Sequence, residues 1–238
     1  MKTSLFLLLL LACISSIAQP INTLTAKEKK EGWKLLFDGK TGNGWIGAKT
    51  KTFPTSGWTI NNGLLTIQGA DKNEPTVGDI ITTEQYGAFD LQFEFKLTPG
   101  ANSGIKYFVS LETGSPLGLE YQLLDDNVHP DAKMGREGNR TLASLYDLIP
   151  ANKPAKAIKP IGEWNTGRIV VHPDNRVEHY LNGVKLLEYV RKSPAYRDLV
   201  QQSKYKSISN FGEGDKGHIL LQDHGHEVSF RNVKIKTL

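Results

Sequence analysis

The 238-residue chain has a single cysteine, Cys13, and only two methionines. One thiol cannot form an internal disulfide, and a cysteine-rich metal site is excluded with it. The chain has no phosphate-binding loop ending in Gly-Lys-Ser/Thr and no His-Glu-x-x-His pair. A Gly-x-Ser-x-Gly elbow is missing too, so acyl transfer by an activated serine has no support. Long hydrophobic runs are also lacking. The longest, Leu5 to Ala12, is far shorter than the roughly 20 apolar residues a membrane helix needs. No low-complexity tract, internal repeat or block of one charge sign occurs. Formal net charge is +4, with basic and acidic residues interspersed, which argues against a nucleic-acid surface. With 39% apolar and 23% charged side chains, the composition is that of an ordinary globular domain.

The first residues read as an address. Lys2 precedes the apolar run, and Ser16-Ile17-Ala18 supplies a small-x-small cleavage site. Cleavage after Ala18 is expected, giving an exported protein, periplasmic or secreted, that begins at Gln19. Only Lys2 among the charged residues is then lost, so the net charge falls to +3. The competing reading takes Leu10-Leu11-Ala12-Cys13 as a lipoprotein signal with Cys13 acylated. On the first reading residues 1–18 are a signal peptide, 19–31 a polar leader and 32–238 one domain.

What the chain does have is strand upon strand. Phe89 to Leu97 alternates apolar Phe89, Leu91, Phe93, Phe95 and Leu97 with polar Asp90, Gln92, Glu94 and Lys96. That period of two marks one buried and one wet face. Trp58 to Ile60 and Leu64 to Ile67 flank the turn Asn61-Asn62-Gly63, and Val177 to Leu181 and Val184 to Tyr189 flank Asn182-Gly183. Both read as hairpins. Further strands are expected at 33–37, 103–111, 119–124, 167–172, 219–222 and 228–235. Only Ser193 to Lys206 reads as a helix, with Ser193 as N-cap and Pro194 in the first turn. The expected fold is all-β, an antiparallel sandwich or jelly roll with one short helix.

The chemistry-bearing residues are polar side chains set within or beside strands. Glu120 and Gln122 share one strand face, where they can orient a sugar, hold a metal or move a proton; a solvated sheet face is the alternative. Lys106 is either a ligand contact or a surface lysine. His179 lies mid-strand on the Val177/Leu181 face, and Gln222 and His224 share a face at a strand end. Asp223-His224-Gly225-His226 also reads as a turn with His226 exposed. His129 and Asp131 lie in a loop that lacks the glycine and terminal glutamate of an EF-hand. Glycosidases normally place two carboxylates across a cleft. Glu120 and Asp125 face opposite sides of their strand, so they are not such a pair.

Taken in order, several segments carry a resemblance. They are Gly32-Trp33-Lys34-Leu35-Leu36-Phe37-Asp38-Gly39, Asn102-Ser103-Gly104-Ile105-Lys106, and Leu119-Glu120-Tyr121-Gln122-Leu123-Leu124-Asp125. Ser144-Leu145-Tyr146-Asp147, Gly162-Glu163-Trp164-Asn165, Val177 to Val184, Leu221 to Gly225 and Phe230 to Ile235 follow. The chain resembles the 3-keto-disaccharide hydrolase family, whose members have a concanavalin A-like jelly roll. The loop from Asp125 to Arg140 departs from the shorter family pattern.

The resemblance implies cleavage of glycosides already oxidised to a ketone at C3. The ketone acidifies the C2 proton; a base removes it, and the enolate expels the C1 substituent. Water addition to the resulting glucal completes a net hydrolysis. Such a route needs a base and an electrophile for the enolate oxygen. The expected base is His179 or His224, with Glu120 assisting. Lys106, Gln122, Gln222, Tyr146, Trp164 and His129 are expected to bind substrate. Lys106 or a divalent metal ion held by Glu120, His179 and His224 would polarise the ketone. A sugar C3 dehydrogenase is expected to act upstream. The rival reading is a non-catalytic carbohydrate-binding module, with Tyr107, Tyr121, Trp164 or Tyr180 stacking on sugar rings.

Overall fold

The computed structural model describes residues 19–69, 78–112 and 114–238. Residues 1–18, where a signal peptide is expected and where Cys13 lies, fall outside the described residues. In chain order the strands are β1 (Lys34–Leu35), β2 (Trp45–Gly47), β3 (Trp58–Asn61), β4 (Leu64–Ile67), β5 (Ile80–Thr82), β6 (Phe89–Leu97), β7 (Asn102–Ser110) and β8 (Leu117–Leu124). They continue with β9 (Asn165–Val171), β10 (Arg176–Leu181), β11 (Val184–Val190), β12 (His218–Leu221) and β13 (Val228–Thr237). The α-helices are α1 (Ala26–Lys30) and α2 (Pro194–Gln201). Among the described residues no helix is long and apolar enough to cross a membrane.

The strands form two antiparallel sheets packed face to face. One runs β11-β10-β9-β6-β13-β4-β3, with β1 also paired to β13; the other runs β2-β5-β12-β7-β8. On β6 the apolar set Phe89, Leu91, Phe93, Phe95 and Leu97 is fully buried, as the alternation requires. Asp90 is buried as well, because Arg168 on β9 clamps it with hydrogen bonds of 2.8 and 2.7 Å. The opposing layer presents Ile105 and Tyr107 of β7 and Leu119, Tyr121 and Leu123 of β8. Phe93 and Tyr121 meet edge to face across the layers at 5.3 Å, a favoured aromatic geometry. The outer face of β7 and β8 is thereby left with Asn102, Gly104, Lys106, Glu120 and Gln122.

Both expected hairpins form, β3/β4 and β10/β11, with Asn62, Gly63, Asn182 and Gly183 at positive φ. Asparagine and glycine tolerate that conformation, which matches the twist of the flanking strands. The α2 helix starts where Ser193 caps it, Oγ accepting from the Tyr196 N–H at 3.1 Å, but stops at Gln201, short of Lys206. The 33–37 segment holds ladder pairing only at Lys34–Leu35.

The polar leader is not a free tail. Thr25 and Glu28 close a capping box on α1, and Glu28 hydrogen-bonds to Lys234 of β13. Its carboxyl is held down to a pKa of about 2, mainly by that lysine. Asn22 exchanges hydrogen bonds with Asn232, and its side-chain nitrogen donates to Gly63 O. Residues 19–31 therefore dock on the sandwich.

Candidate active site

The topology selects which polar residues meet. β8 and β12 both run antiparallel to β7 and flank it, so their C-terminal ends lie together beside the start of β7. The register sets Lys106 opposite Glu120 on one side and Leu220 on the other, with Gly104 opposite Gln122. The Gln222 backbone N–H donates to Gly104 O at 3.0 Å, which carries the β12 end alongside. A hollow of about 130 Å³ opens over these residues, bounded by Lys106, Glu120, Gln122, Gln222 and His224 from the sheet. Its far wall is Asp131, Tyr146, Lys204 and Tyr205. Lys106 and Leu117 also line an adjoining groove of about 710 Å³, whose walls include Phe53, Lys49, Asp79 and Asp223.

Glu120 sits on the floor. Its side chain folds flat over Gly104, so closely that a Cβ there would lie 2.2 Å from Oε1. Glycine at 104 is thus what lets the carboxyl occupy this place. With its amide turned so that the nitrogen meets the acceptors around it, Gln122 donates to Glu120 Oε1 and Ser103 O, each at 3.1 Å. Burial pushes the Glu120 pKa up, against the pull of Lys106 and then Lys204. Lys204 is shifted the other way, its ammonium disfavoured by burial while Glu120 supports it. A buried carboxyl with two lysines near it has its charged form opposed by burial and supported by the cations, the arrangement that tunes a proton carrier. Asp79, which faces Lys106 Nζ at 4.0 Å, is also raised by burial.

The wall is braced rather than loose. Arg140 bridges Asp147 at 2.6 Å and Asp131 at 3.1 Å, and Tyr146 donates to Asp131 Oδ2 at 2.8 Å. Lys204 lies 4.2 Å from the Tyr146 ring centroid, and its backbone N–H donates to Asp147 Oδ2. Tyr205 stacks on Phe211 at 3.9 Å. These contacts fix the Lys204 ammonium beside Glu120 without consuming its charge in an ion pair to Asp131 or Asp147.

Matching residues 32–236 is the family model described as a 3-keto-alpha-glucoside-1,2-lyase-like domain. The chain belongs to this family. A 3-keto-disaccharide hydrolase from Bacteroides thetaiotaomicron is 37% identical over 246 aligned positions, covering 93% of this chain and 83% of that protein. A solved structure from Parabacteroides distasonis, described as a candidate glycosyl hydrolase, superposes with a TM-score of 0.80 at 31% identity, covering 92% of this chain and all of that one. A second from the same organism gives 0.67 at 26% identity, over 87% and 99% of the two chains. The 3-keto-glucoside lyase-like domain is thus a carbohydrate-active enzyme fold, and the glycoside hydrolase assignment follows from these relatives.

Within this domain the expected residues divide. Lys106, Glu120, Gln122, Tyr146, Gln222 and His224 converge on the hollow. His179 does not. It sits between the sheets with zero exposure, sharing the inner face of β10 with Val177 and Leu181. Its Nε2 meets the Tyr107 hydroxyl at 2.9 Å, and its Nδ1 meets Ala143 O at 3.1 Å. Burial depresses its pKa to about 4. A histidine on the core side of the sheet cannot reach a sugar on the outer side, so its assignment as base is corrected. The metal set of Glu120, His179 and His224 falls for the same reason, since Glu120 and His179 lie on opposite sides of β8.

Trp164 is also displaced from the expected role. It packs beneath Arg231 at 4.1 Å and Lys96 at 5.3 Å, on strands of the other sheet. Tyr107 and Tyr121 are core residues, and the Tyr180 hydroxyl is committed to Glu178. None of the expected stacking platforms of a binding module faces the hollow. Lys204 and Tyr205, by contrast, went unseen in the sequence. They follow α2 in a segment read as helix, and no local pattern marks them.

Proposed function

We propose that this protein cleaves glycosides whose sugar ring carries a ketone at C3, by elimination across C1–C2, after export from the cytoplasm. The observation that carries the reading is Glu120, a buried carboxyl of raised pKa between Lys106 and Lys204 on the floor of a hollow that joins a larger groove. The hollow suits the oxidised ring, and the groove suits the leaving group.

The C3 ketone makes the C2 proton acidic. Glu120, as carboxylate, takes that proton. The electron pair forms an enolate whose oxygen faces the Lys106 and Lys204 ammonium groups, the fixed charges that such an intermediate requires. Collapse of the enolate breaks the C1–O bond, and the departing oxygen takes the proton that Glu120 removed from C2, leaving a 2-hydroxy-3-keto-glucal and the carboxylate restored. Addition of water across C1=C2 then gives the free keto sugar, so the net change is hydrolysis. Glu120 replaces the histidines expected as base, while His224 at the rim contacts substrate. A separate oxidation at C3 must supply the substrate, which is the place of the expected dehydrogenase.

A second reading, direct hydrolysis by two carboxylates, draws support from Asp79, whose pKa is also raised by burial beside Lys106. Incubation of a 3-keto-glucoside in D2O separates the two. Elimination predicts deuterium at C2 and loss of turnover in Glu120→Gln; aglycone release with no label at C2 would overturn it.

A further inference from the structure

Three histidines meet at one end of the five-stranded sheet, and no step above uses them as a group. His129 follows β8, and His224 and His226 follow β12; the parallel course of those strands brings their ends together. Each offers a ring nitrogen, and these nitrogens all lie within 4.8 Å of one another. The rings are 5.5 to 6.1 Å apart between centroids, with His224 and His226 stacked 12° from parallel. We propose that His129, His224 and His226 form a binding site for one divalent transition-metal ion of the zinc or cobalt class, at the rim of the hollow.

The backbone prepares the site. Gly225 adopts φ +79° between the two histidines, and Asp223 Oδ1 accepts the Gly225 N–H at 2.9 Å. Asp223 Oδ2 also accepts from Gly78 N at 3.0 Å, which ties the turn to the segment just before β5. This tight His-Gly-His turn holds two imidazoles on the same side. His129 is held at the entry of a short 3-10 turn, where its Nδ1 accepts the Asp131 N–H at 3.2 Å.

A second observation points to a ligand. The His226 Nδ1 is buried without a hydrogen-bond partner among the described residues. Buried polar atoms are nearly always paired, so an orphan nitrogen on a ring that meets two other imidazoles leaves room for a ligand.

Three imidazoles leave at least one coordination position open, the donor set of catalytic rather than structural zinc sites. Metal–nitrogen bonds of about 2.0–2.1 Å require the nitrogens to close up from their present spacing. His224 is exposed and His129 half-buried, so side-chain rotation supplies that movement. Ligation at His129 Nδ1 replaces its single long hydrogen bond. His224 also lines the hollow, so an ion bound there would lie beside the place proposed for the sugar. The inference stands independently of the elimination chemistry.

The test is equilibrium dialysis of the full chain, stripped with chelator, against Zn²⁺ or Co²⁺ alone, with metal content and the Co²⁺ visible spectrum as readouts. The wild type is expected to bind one equivalent, with the d–d bands of a nitrogen-ligated cobalt ion. His226→Ala and His129→Ala should each weaken binding by at least about tenfold, whereas His172→Ala, on the other sheet, should not. No stoichiometric binding by the wild type, or equal binding by the His129/His224/His226 triple alanine variant, overturns the site. Because the wild-type measurement stands alone, a poorly folding variant does not rescue the proposal.

Discussion

Lowering the pH from 7 to 5 is expected to destabilise this protein through His179, and the size of the effect follows from its burial. The imidazole is held to a pKa of about 4 against an ordinary 6.5. A depressed folded-state value means the unfolded chain takes up the proton first, so the contribution to stability is present above about pH 6.5 and is lost as the pH falls toward 4. Linkage over that interval gives a loss of about 2 kcal/mol by pH 5 and about 3 kcal/mol below pH 4. Replacing the ring by an uncharged amide, His179→Gln, should remove that dependence. The variant should also be less stable at pH 7 by about 1–3 kcal/mol, because Tyr107 or Ala143 loses its partner. Urea unfolding at pH 7, 6 and 5, on both proteins, reads the two effects apart. Every other residue is common to both proteins, so the difference isolates residue 179. If the two proteins lose stability in parallel with falling pH, His179 is not the buried neutral group described here. If folded His179→Gln loses catalysis by the 10²–10⁴-fold typical of an absent general base, the correction of its role is wrong.

Three further outcomes follow from the hollow. Glu120→Gln should lower kcat by about 10²–10⁴-fold, yet raise the melting temperature by about 2–6 °C, since relieving a buried functional charge commonly stabilises by about 0.5–2 kcal/mol. The raised Glu120 pKa favours the protonated acid in the folded state, so the gain should be largest at neutral and higher pH and vanish in acid; calorimetry across pH checks the sign. Gly104→Ala should cut kcat at least about tenfold by driving the Glu120 carboxyl from its seat, at a stability cost of only about 1–3 kcal/mol, because the clashing atoms end a side chain. Lys204→Met removes a charge that pulls the Glu120 pKa down, so the acid limb of the kcat/KM profile should move to higher pH.

The sandwich was legible because its signals are local. Period-two alternation in Phe89–Leu97 and the Asn-Gly turns each act within a few residues, and both set the strands where expected. The very short β2 and β5 were missed, as three residues carry no period. The docked leader was missed because Asn22 and Glu28 find partners about 200 residues away in β13. At the site, Lys106, Glu120, Gln122 and Gln222 were visible as polar residues breaking an otherwise apolar strand. Their convergence depends on register, which only pairing sets. His179 misled because a mid-strand histidine reads alike whichever sheet face it occupies; its neighbours Val177 and Leu181, both core residues, held the answer. Lys204, Tyr205 and the meeting of His129 with His224 and His226 are products of topology, and no spacing announces them.

The central claim is that Glu120 removes a proton from carbon in a 3-keto-glycoside. It is tested most directly by nuclear magnetic resonance of such a glycoside in D2O, with wild type and with Glu120→Gln. The account predicts deuterium at C2 of the product, or a transient glucal, with wild type, and neither with the variant. Aglycone release by the wild type with C2 fully protonated would contradict it.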